Sequence, residues 1–152
     1  MDIAGLFEVK GAVGKPSFFG FDTTKVNEEV CTQICSEMPK CTSLTFRSVA
    51  EEGKWGPTQA GQCRFKTGRT RENLFEQETR ISFFKNEGGS YEKFIDQGIG
   101  QGEFLFFNSQ NADEKACKKL CKEMPRCVES TLWVAADGST EAPQCRFSTR
   151  VE

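Results

Sequence analysis

The sequence predicts an α+β fold of two small disulfide-stapled modules, each with one helix and several short strands. Three observations predict it. One cysteine pattern, Cys31-x3-Cys35-x5-Cys41, recurs 86 residues later. Patterns typical of a strand, a helix and further strands follow in the same order in both copies. Eight cysteines in 152 residues is a high and even number, which indicates a disulfide framework formed in an oxidising compartment.

The repeat extends on both sides of this cysteine pattern. Upstream, at the same offset, the matching pairs are Gly14 and Gly100, Phe18 and Phe104, Phe21 and Phe107, and Asp22 and Asn108. Downstream, the offset falls to 82, where Gln62-Cys63-Arg64-Phe65 recurs as Gln144-Cys145-Arg146-Phe147. A Gly-rich hinge at 86–90 joins the copies. We therefore predict two domains, residues 1–86 and 87–152.

Each copy begins with an aromatic strand, predicted at residues 17–21 and 103–107. The helix that follows carries apolar residues at helical spacing, which are Val30, Ile34 and Met38 in copy one and Ala116, Leu120 and Met124 in copy two. A proline then ends the helix, either Pro39 or Pro125. In copy two we predict Asn111 as the N-cap, because Glu114 follows at the capping-box spacing and Asp113 falls in the first turn.

Short strands are predicted after each helix. They cover residues 43–48 and 62–66 in copy one, and 129–135 and 144–148 in copy two. Copy one adds a strand at 78–85, whereas copy two stops at Glu152 without this closing strand. The asymmetry predicts either a truncated sequence or a strand that one copy lends to a shared or intermolecular sheet.

Cysteine spacing suggests how the sulfurs pair. Cys31 and Cys35 are four residues apart, so both project from one face of the helix. The economical pairing is Cys35 with Cys41 and Cys31 with Cys63 and, by analogy in copy two, Cys121 with Cys127 and Cys117 with Cys145. The alternatives are a zinc site with four thiolate ligands in each copy, although such sites favour C-x2-C spacing, and a free catalytic thiol.

Composition excludes several classes of function. The chain has no histidine, so no Ser-His or Cys-His nucleophile and no imidazole metal ligand can form. Carboxylate pairs such as Glu28 and Glu29 are adjacent in sequence and do not indicate a general acid and base. A net charge of −2 gives no general attraction to nucleic acid, and no apolar run is long enough for a membrane helix. We expect no enzyme, no cofactor and no metal.

These motifs resemble those of the PAN/apple module. The resemblance lies in the helix-borne C-x3-C, the nearby third cysteine and the C-[RK]-[FL] strand after a variable hairpin, and it covers roughly 11–86 and 97–152. It implies a small antiparallel sheet packed on one helix, with the cysteine pairing given above. It also implies binding of proteins, glycans or sulfated polysaccharides. The extra terminal disulfide of full apple domains is missing, which leaves the four-cysteine form.

Several basic or aromatic residues are candidates for ligand binding: Trp55, Arg64, Lys66, Arg69, Arg71, Lys118 and Lys122. The cluster around Arg64 suits a sulfated glycan or an acidic partner. The alternative for the charged residues is an ordinary solvated surface, and for Trp55 a ring folded over its own loop. Trp133 lies in an apolar strand and is expected in the core.

We therefore expect a non-enzymatic binding protein, secreted or lumenal, that recognises a protein or glycan ligand through its two modules, which offer two sites. No apolar leader follows Met1, so either a presequence has been removed or Met1 was added to the mature chain. The alternative is a structural accessory subunit docked on the lumenal side of a large membrane complex, such as a photosynthetic complex in the thylakoid lumen. That hypothesis places an edge strand or aromatic patch against a neighbouring subunit.

Overall fold

The computed structural model describes residues 6–48, 61–100, 103–109, 112–134 and 143–150. These residues contain two antiparallel sheets and two α-helices. The strands are β1 (Leu6–Val9), β2 (Phe18–Asp22), β3 (Ser43–Ser48), β4 (Gly61–Lys66), β5 (Leu74–Lys85), β6 (Tyr91–Ile99), β7 (Glu103–Asn108), β8 (Glu129–Trp133) and β9 (Gln144–Ser148). The helices are α1 (Glu28–Glu37) and α2 (Glu114–Glu123). No helix among them is long and apolar enough to span a membrane.

The two copies exchange their aromatic strands. The four-stranded sheet has the order β1-β2-β9-β8, and the five-stranded sheet has the order β6-β5-β3-β4-β7. Phe21 of β2 therefore lies opposite Cys145 of copy two, and Phe107 of β7 lies opposite Cys63 of copy one. These four positions are two pairs of repeat mates, so the exchange is reciprocal. The closing strand of copy one, β5, pairs with β3 of the same copy, so this exchange is separate from the predicted lending of a strand, which stays a prediction.

The exchange bears on the predicted division of the chain at residue 86. Each sheet contains strands from both sides of that boundary, because β2 joins copy two and β7 joins copy one. The boundary stays a prediction about the sequence repeats. In the structure, each sheet is built from strands of both repeats.

Side-chain caps define where both helices begin. Asn27 accepts a hydrogen bond from the backbone N–H of Val30 at 2.9 Å, which caps α1. Asp113 accepts one from Ala116 at 2.8 Å, which caps α2. The prediction of Asn111 as N-cap is therefore wrong, since the helix starts two residues later and Asp113 is the cap rather than a first-turn residue. Asn111 itself lies outside the described residues.

Disulfides and buried side chains fasten one helix to each sheet. They join Cys31 to Cys63, Cys35 to Cys41, Cys117 to Cys145 and Cys121 to Cys127, with Cα separations of 5.3–5.6 Å. No cysteine is free, so the alternatives of a zinc thiolate site and a catalytic thiol are wrong. Helix α1 packs on β3, and α2 packs mainly on β8. The helices and the sheets share one apolar core, which includes Phe21, Phe65, Phe107 and Phe147.

The strand predictions differ from the structure mainly around β5. That strand begins at Leu74 rather than at residue 78, and it pairs with β6, which the sequence does not predict. Strand β6 mixes charged, amide and glycine residues, so it shows no clear alternation. Such a sequence is compatible with an edge strand, where side chains meet solvent and little packing is required. The short β1 was not predicted either.

Candidate ligand-binding pocket

The five-stranded sheet has one apolar face and one polar face. Leu44, Cys63 and Phe65 are fully buried on the face toward α1. Alternate residues of the same strands project from the opposite face, because successive side chains of a strand point to opposite sides. That polar face carries Thr45 on β3 and Arg64 and Lys66 on β4.

Strands β5 and β6 bend over this polar face. Their pairing is interrupted between Glu76 and Ile81, and both strands have a non-glycine residue with positive φ at the bend, Thr79 at 66° and Asp96 at 58°. For a β-branched residue such as Thr79 this backbone conformation is strained and needs support from its surroundings.

Hydrogen bonds of Ser82 help to hold the bend. The Ser82 hydroxyl donates to the carbonyl oxygen of Gln97 at 2.7 Å and therefore accepts from the Thr45 hydroxyl at 3.0 Å. The bend thus places the start of β5 and the end of β6 above the polar face of the sheet.

The space under this bend is a pocket of about 360 Å³, which we call the basic pocket. Its volume falls within the range of about 300–1,000 Å³ that is typical of small-ligand sites. The lining residues come from five strands and the segment between β6 and β7: Thr45, Arg64, Lys66, Phe75, Gln77, Arg80, Gly98, Ile99, Gly100 and Glu103. Three cationic side chains thus face one carboxylate.

That carboxylate, Glu103, joins two of the cations. Lys66 Nζ donates to Glu103 Oε2 at 3.1 Å and to the carbonyl oxygen of Gly100 at 3.4 Å. Arg64 Nη1 lies 3.6 Å from Glu103 Oε1. The hydrogen bond from Lys66 is the main reason why the pKa of Glu103 lies below its ordinary value, and the charges of Lys66 and Arg64 act in the same direction. Glu103 is therefore ionised at neutral pH and faces both cations as a carboxylate.

Arg64 lies beside an exposed aromatic ring. Its guanidinium lies 4.9 Å from the ring centroid of Phe106, and its Nε is buried without a hydrogen-bond partner. Phe106 is 45% exposed, and Phe75 at the wall of the pocket is 47% exposed. A guanidinium beside exposed rings suits a ligand that combines anionic groups with flat apolar faces.

Among the other predicted ligand-binding residues, Arg71 and Lys118 already have partners. Arg71 forms an ion pair with Glu92, and its guanidinium lies 5.5 Å from the centroid of Phe84. Lys118 lies 3.6 Å from Glu114 one turn away on α2. The structure thus places these two residues apart from the basic pocket, in whose lining they take no part.

The remaining basic candidates, and the tryptophans, also lie away from this lining. Lys122 is exposed in the last turn of α2, and Arg69 is half-buried beyond β4. Trp55 lies outside the described residues. The prediction that Trp133 belongs to the core is wrong, because the Arg146 guanidinium covers its ring at 4.5 Å on the face away from α2.

Sequence reasoning missed half of the charged groups in the pocket. Arg80 and Glu103 come from strands that are distant in sequence from Arg64, and only the exchanged pairing of β7 with β4 brings Glu103 to Lys66. The sequence signal was present in β7, where a glutamate starts a strand of aromatic residues. Nothing in the sequence indicated that this strand pairs with copy one.

The repeat does not reproduce the pocket in the four-stranded sheet. Arg146 matches Arg64, but Ser148 stands at the position of Lys66 and Ser17 at that of Glu103. In the part of the chain that the structure describes, no strand occupies the place of β5 beside β8. The expectation of two sites, one in each module, is therefore not supported by these residues.

Two other concave regions are weaker candidates. One, of about 210 Å³, lies between α1 and the four-stranded sheet, and its one cation, Arg126, is already bound by Glu37 and Glu8. The other, of about 740 Å³, is lined largely by the loop between β1 and β2 and includes Lys10 and Lys15. It has no aromatic wall, and both lysines are exposed. Within the described ranges, no group of side chains is arranged to hold a metal ion.

Comparison with protein-family models gives two matches in tandem. One PAN domain model matches residues 13–88, which is half of the chain, and a second PAN domain model matches residues 101–147. Comparison with curated proteins and with solved structures gives no significant match.

Proposed function

The chain belongs to the PAN domain family, and on this premise we propose that it is a non-catalytic binding protein whose ligand occupies the basic pocket. PAN domains are typically protein- or carbohydrate-binding modules. Four disulfides fit an extracellular or secretory location, because such bonds persist in oxidising compartments.

The observation that carries this proposal is the charge and shape of the basic pocket. Arg64, Lys66 and Arg80 face one carboxylate there, so the pocket attracts anionic groups. The exposed ring of Phe75 offers a flat apolar surface in the pocket wall, and the exposed ring of Phe106 lies beside Arg64. A sulfated or carboxylated sugar unit combines anionic groups with an apolar ring face, so an anionic glycan is the ligand class that this combination fits best.

The direct test is titration with a heparin-derived oligosaccharide by isothermal calorimetry, comparing the unchanged protein with an Arg64→Ala variant. We expect about 10- to 100-fold weaker binding in the variant, since a hydrogen bond to a charged group contributes about 1.5–3 kcal/mol. Affinity of the unchanged protein should also fall as salt rises, because the attraction is ionic.

Arg71→Ala is the matched control, because this arginine is also exposed and basic but already pairs with Glu92 outside the pocket. Its affinity for the oligosaccharide should match that of the unchanged protein. An equal loss of affinity in both variants would mean that the oligosaccharide responds to the overall charge of the protein, and it would contradict the proposed site. Binding of an acidic peptide but of no sulfated or desulfated oligosaccharide would move the ligand class from glycan to protein.

The alternative function, a structural subunit of a larger assembly, has one feature in its favour. Strand β8 forms an edge of the four-stranded sheet, with no neighbour on its outer side among the described strands. Co-purification from the native source with a stable multi-subunit complex would favour this alternative. The proposed thylakoid location has no supporting observation in the fold or in the family.

A further inference from the structure

The outer edge of β8 corresponds to a position that is occupied in the other sheet. Strand β3 is the repeat mate of β8, and β5 pairs along its second side, with Leu44 opposite Phe83 and Phe46 opposite Ile81. Strand β8 pairs only with β9 in the described part of the chain. Among the described strands, its second row of backbone donors and acceptors has no partner, which makes β8 an edge strand there.

The edge has few of the features that usually keep such strands from pairing. Between residues 128 and 134 there is no proline and no lysine, and Glu129 is the one charged residue. Val128 and Val134, which flank the strand, are 58% and 63% exposed. A lone edge with apolar ends is a template for strand addition.

The sequence of this edge is complementary to itself. In an antiparallel pair centred on Thr131, Val128 of one copy lies opposite Val134 of the other, and Ser130 lies opposite Leu132. All of these share the face toward α2, where Ser130 is buried and Leu132 packs against the core. Apolar side chains that are exposed in the single chain thus meet across the pair.

Charges on the opposite face also match in this register. Glu129 of the second copy lies opposite Trp133, whose ring is covered by the Arg146 guanidinium at 4.5 Å. The carboxylate of one copy therefore approaches the arginine of the other, twice by symmetry, and no like charges lie directly opposite each other. An antiparallel edge pair related by a two-fold axis closes on itself, so it forms dimers rather than fibres.

We propose that two copies of this chain associate through β8, antiparallel and centred on Thr131, to form one continuous eight-stranded sheet. This inference goes beyond the proposed ligand binding and uses a different sheet. A dimer of this form carries two basic pockets, which gives bivalent binding without a second site on one chain. The contact is small, so association is weak and rises with protein concentration.

Sedimentation experiments test the association. We expect the weight-average molar mass of the unchanged protein to rise from that of the monomer toward that of the dimer as its concentration increases from about 10 µM to 1 mM. Dissociation constants of weak interfaces fall in this range. Thr131→Lys should keep the protein monomeric, because two lysines would face each other on the axis, while the exposed position leaves the fold unaffected. Ile95→Lys is the matched control, since it adds the same charge at an exposed position on the edge strand β6 of the other sheet.

Disulfide trapping tests the register. In a Thr131→Cys variant the two new thiols face each other, so mild oxidation should yield a covalent dimer on a non-reducing gel. In a Glu129→Cys variant each thiol faces Trp133 instead of its own counterpart, so no such dimer should form.

Two sedimentation results would overturn the proposal: a monomer at every concentration, or loss of the dimer in Ile95→Lys but not in Thr131→Lys. Two other results would also overturn it. They are a trapped covalent dimer of Glu129→Cys instead of Thr131→Cys, and one-to-one binding of a Leu74–Lys85 peptide to β8 without self-association. None of these outcomes depends on glycan binding, so this proposal and the proposed function fail separately.

Discussion

At the scale of single residues, the buried lysine of the basic pocket is the most consequential charge in the molecule. The Lys66 side chain is 3% exposed, and a buried ammonium without a partner is costly. Glu103 supplies that partner from a strand of the other repeat. The same contact therefore fixes the charge of the pocket and helps to fasten β7 to β4.

A Glu103→Gln variant tests this contact through pH. The pKa of Glu103 is lowered in the folded protein, so its ionised form stabilises the fold above the pKa of the unfolded chain, and this contribution disappears as pH falls through the folded value. We expect the variant to be about 1–3 kcal/mol less stable at neutral pH, since it leaves Lys66 poorly compensated. The difference in unfolding free energy, measured with urea, should shrink as the pH falls below the pKa of an unfolded glutamate, about 4.3.

Glu92→Gln is the control for this prediction, because Glu92 pairs with the exposed Arg71 at the surface. Its stability should change by less than about 1 kcal/mol. If the loss of unfolding free energy in Glu103→Gln stays constant as the pH falls, the Glu103 side chain acts through packing and not through its charge.

At the scale of elements, Gly20 explains why the aromatic strands are exchanged. A Cβ at Gly20 would lie 2.0 Å from the carbonyl oxygen of Cys145. Strand β2 can therefore pair with β9 because the residue at this position has no side chain. The repeat mate of Gly20 is Phe106. If β7 paired with β9 of its own copy, Phe106 would occupy this crowded place. Against β4 the same side chain instead packs beside Arg64.

Engineered disulfides report which pairing exists. Gln62 lies opposite Asn108 in the exchanged arrangement, whereas pairing within copy one would place Gln62 opposite Asp22. We expect the Gln62→Cys and Asn108→Cys double variant to form the new bond, because facing strand residues have Cα separations that a disulfide spans. Peptide mapping of the non-reduced protein detects it.

The matched control is the Gln62→Cys and Asp22→Cys double variant, which should leave both new thiols free. A bond in this control, with free thiols in the first variant, would mean that each copy keeps its own aromatic strand.

At the scale of the whole molecule, two related ion pairs join the copies. Arg126 of copy two binds Glu37 through two hydrogen bonds of 2.7 Å, and the repeat mates of these residues, Lys40 and Glu123, lie 3.7 Å apart. The interface thus has the reciprocal contacts of a two-fold symmetric dimer within a single chain. Arg126 also lies 3.7 Å above the ring of Phe19, and the two carboxylates near it raise its pKa.

Replacing Arg126 by alanine should destabilise the protein by about 1–3 kcal/mol, because a two-pronged ion pair and a ring contact are lost together. Lys40→Ala is the matched control and should cost less than about 1 kcal/mol, since Lys40 is more exposed, its ion pair with Glu123 is long at 3.7 Å, and its ammonium lies 5.3 Å from the ring of Phe104. Urea unfolding would measure both changes in the free energy of unfolding. A single cooperative transition in both variants is expected, and a separate early transition in Arg126→Ala would contradict folding of the two copies as one unit.

Local patterns in the sequence were sufficient for the elements that carry their own signals. The repeated cysteines, the apolar positions of α1 and α2 and the helix-ending prolines depend on residues that are near each other in sequence. Strands β3 and β9 match their predicted bounds for the same reason. The N-cap of α2 was misplaced because Asn111 and Asp113 are both good N-cap residues. Which of them starts the helix depends on where the preceding strand ends.

Local sequence patterns are enough to indicate two PAN modules, the economical pairing of the cysteines, and a basic segment that contains Arg64 and Lys66. Only the three-dimensional fold brings about the exchange of β2 and β7 and the meeting of Glu103 and Arg80 with those cations, and it leaves β8 without a second neighbour among the described strands. The physical reason is that matching strands from the two repeats offer nearly equal backbone pairing, so selection among them falls to contacts between distant residues, such as Gly20 against Cys145.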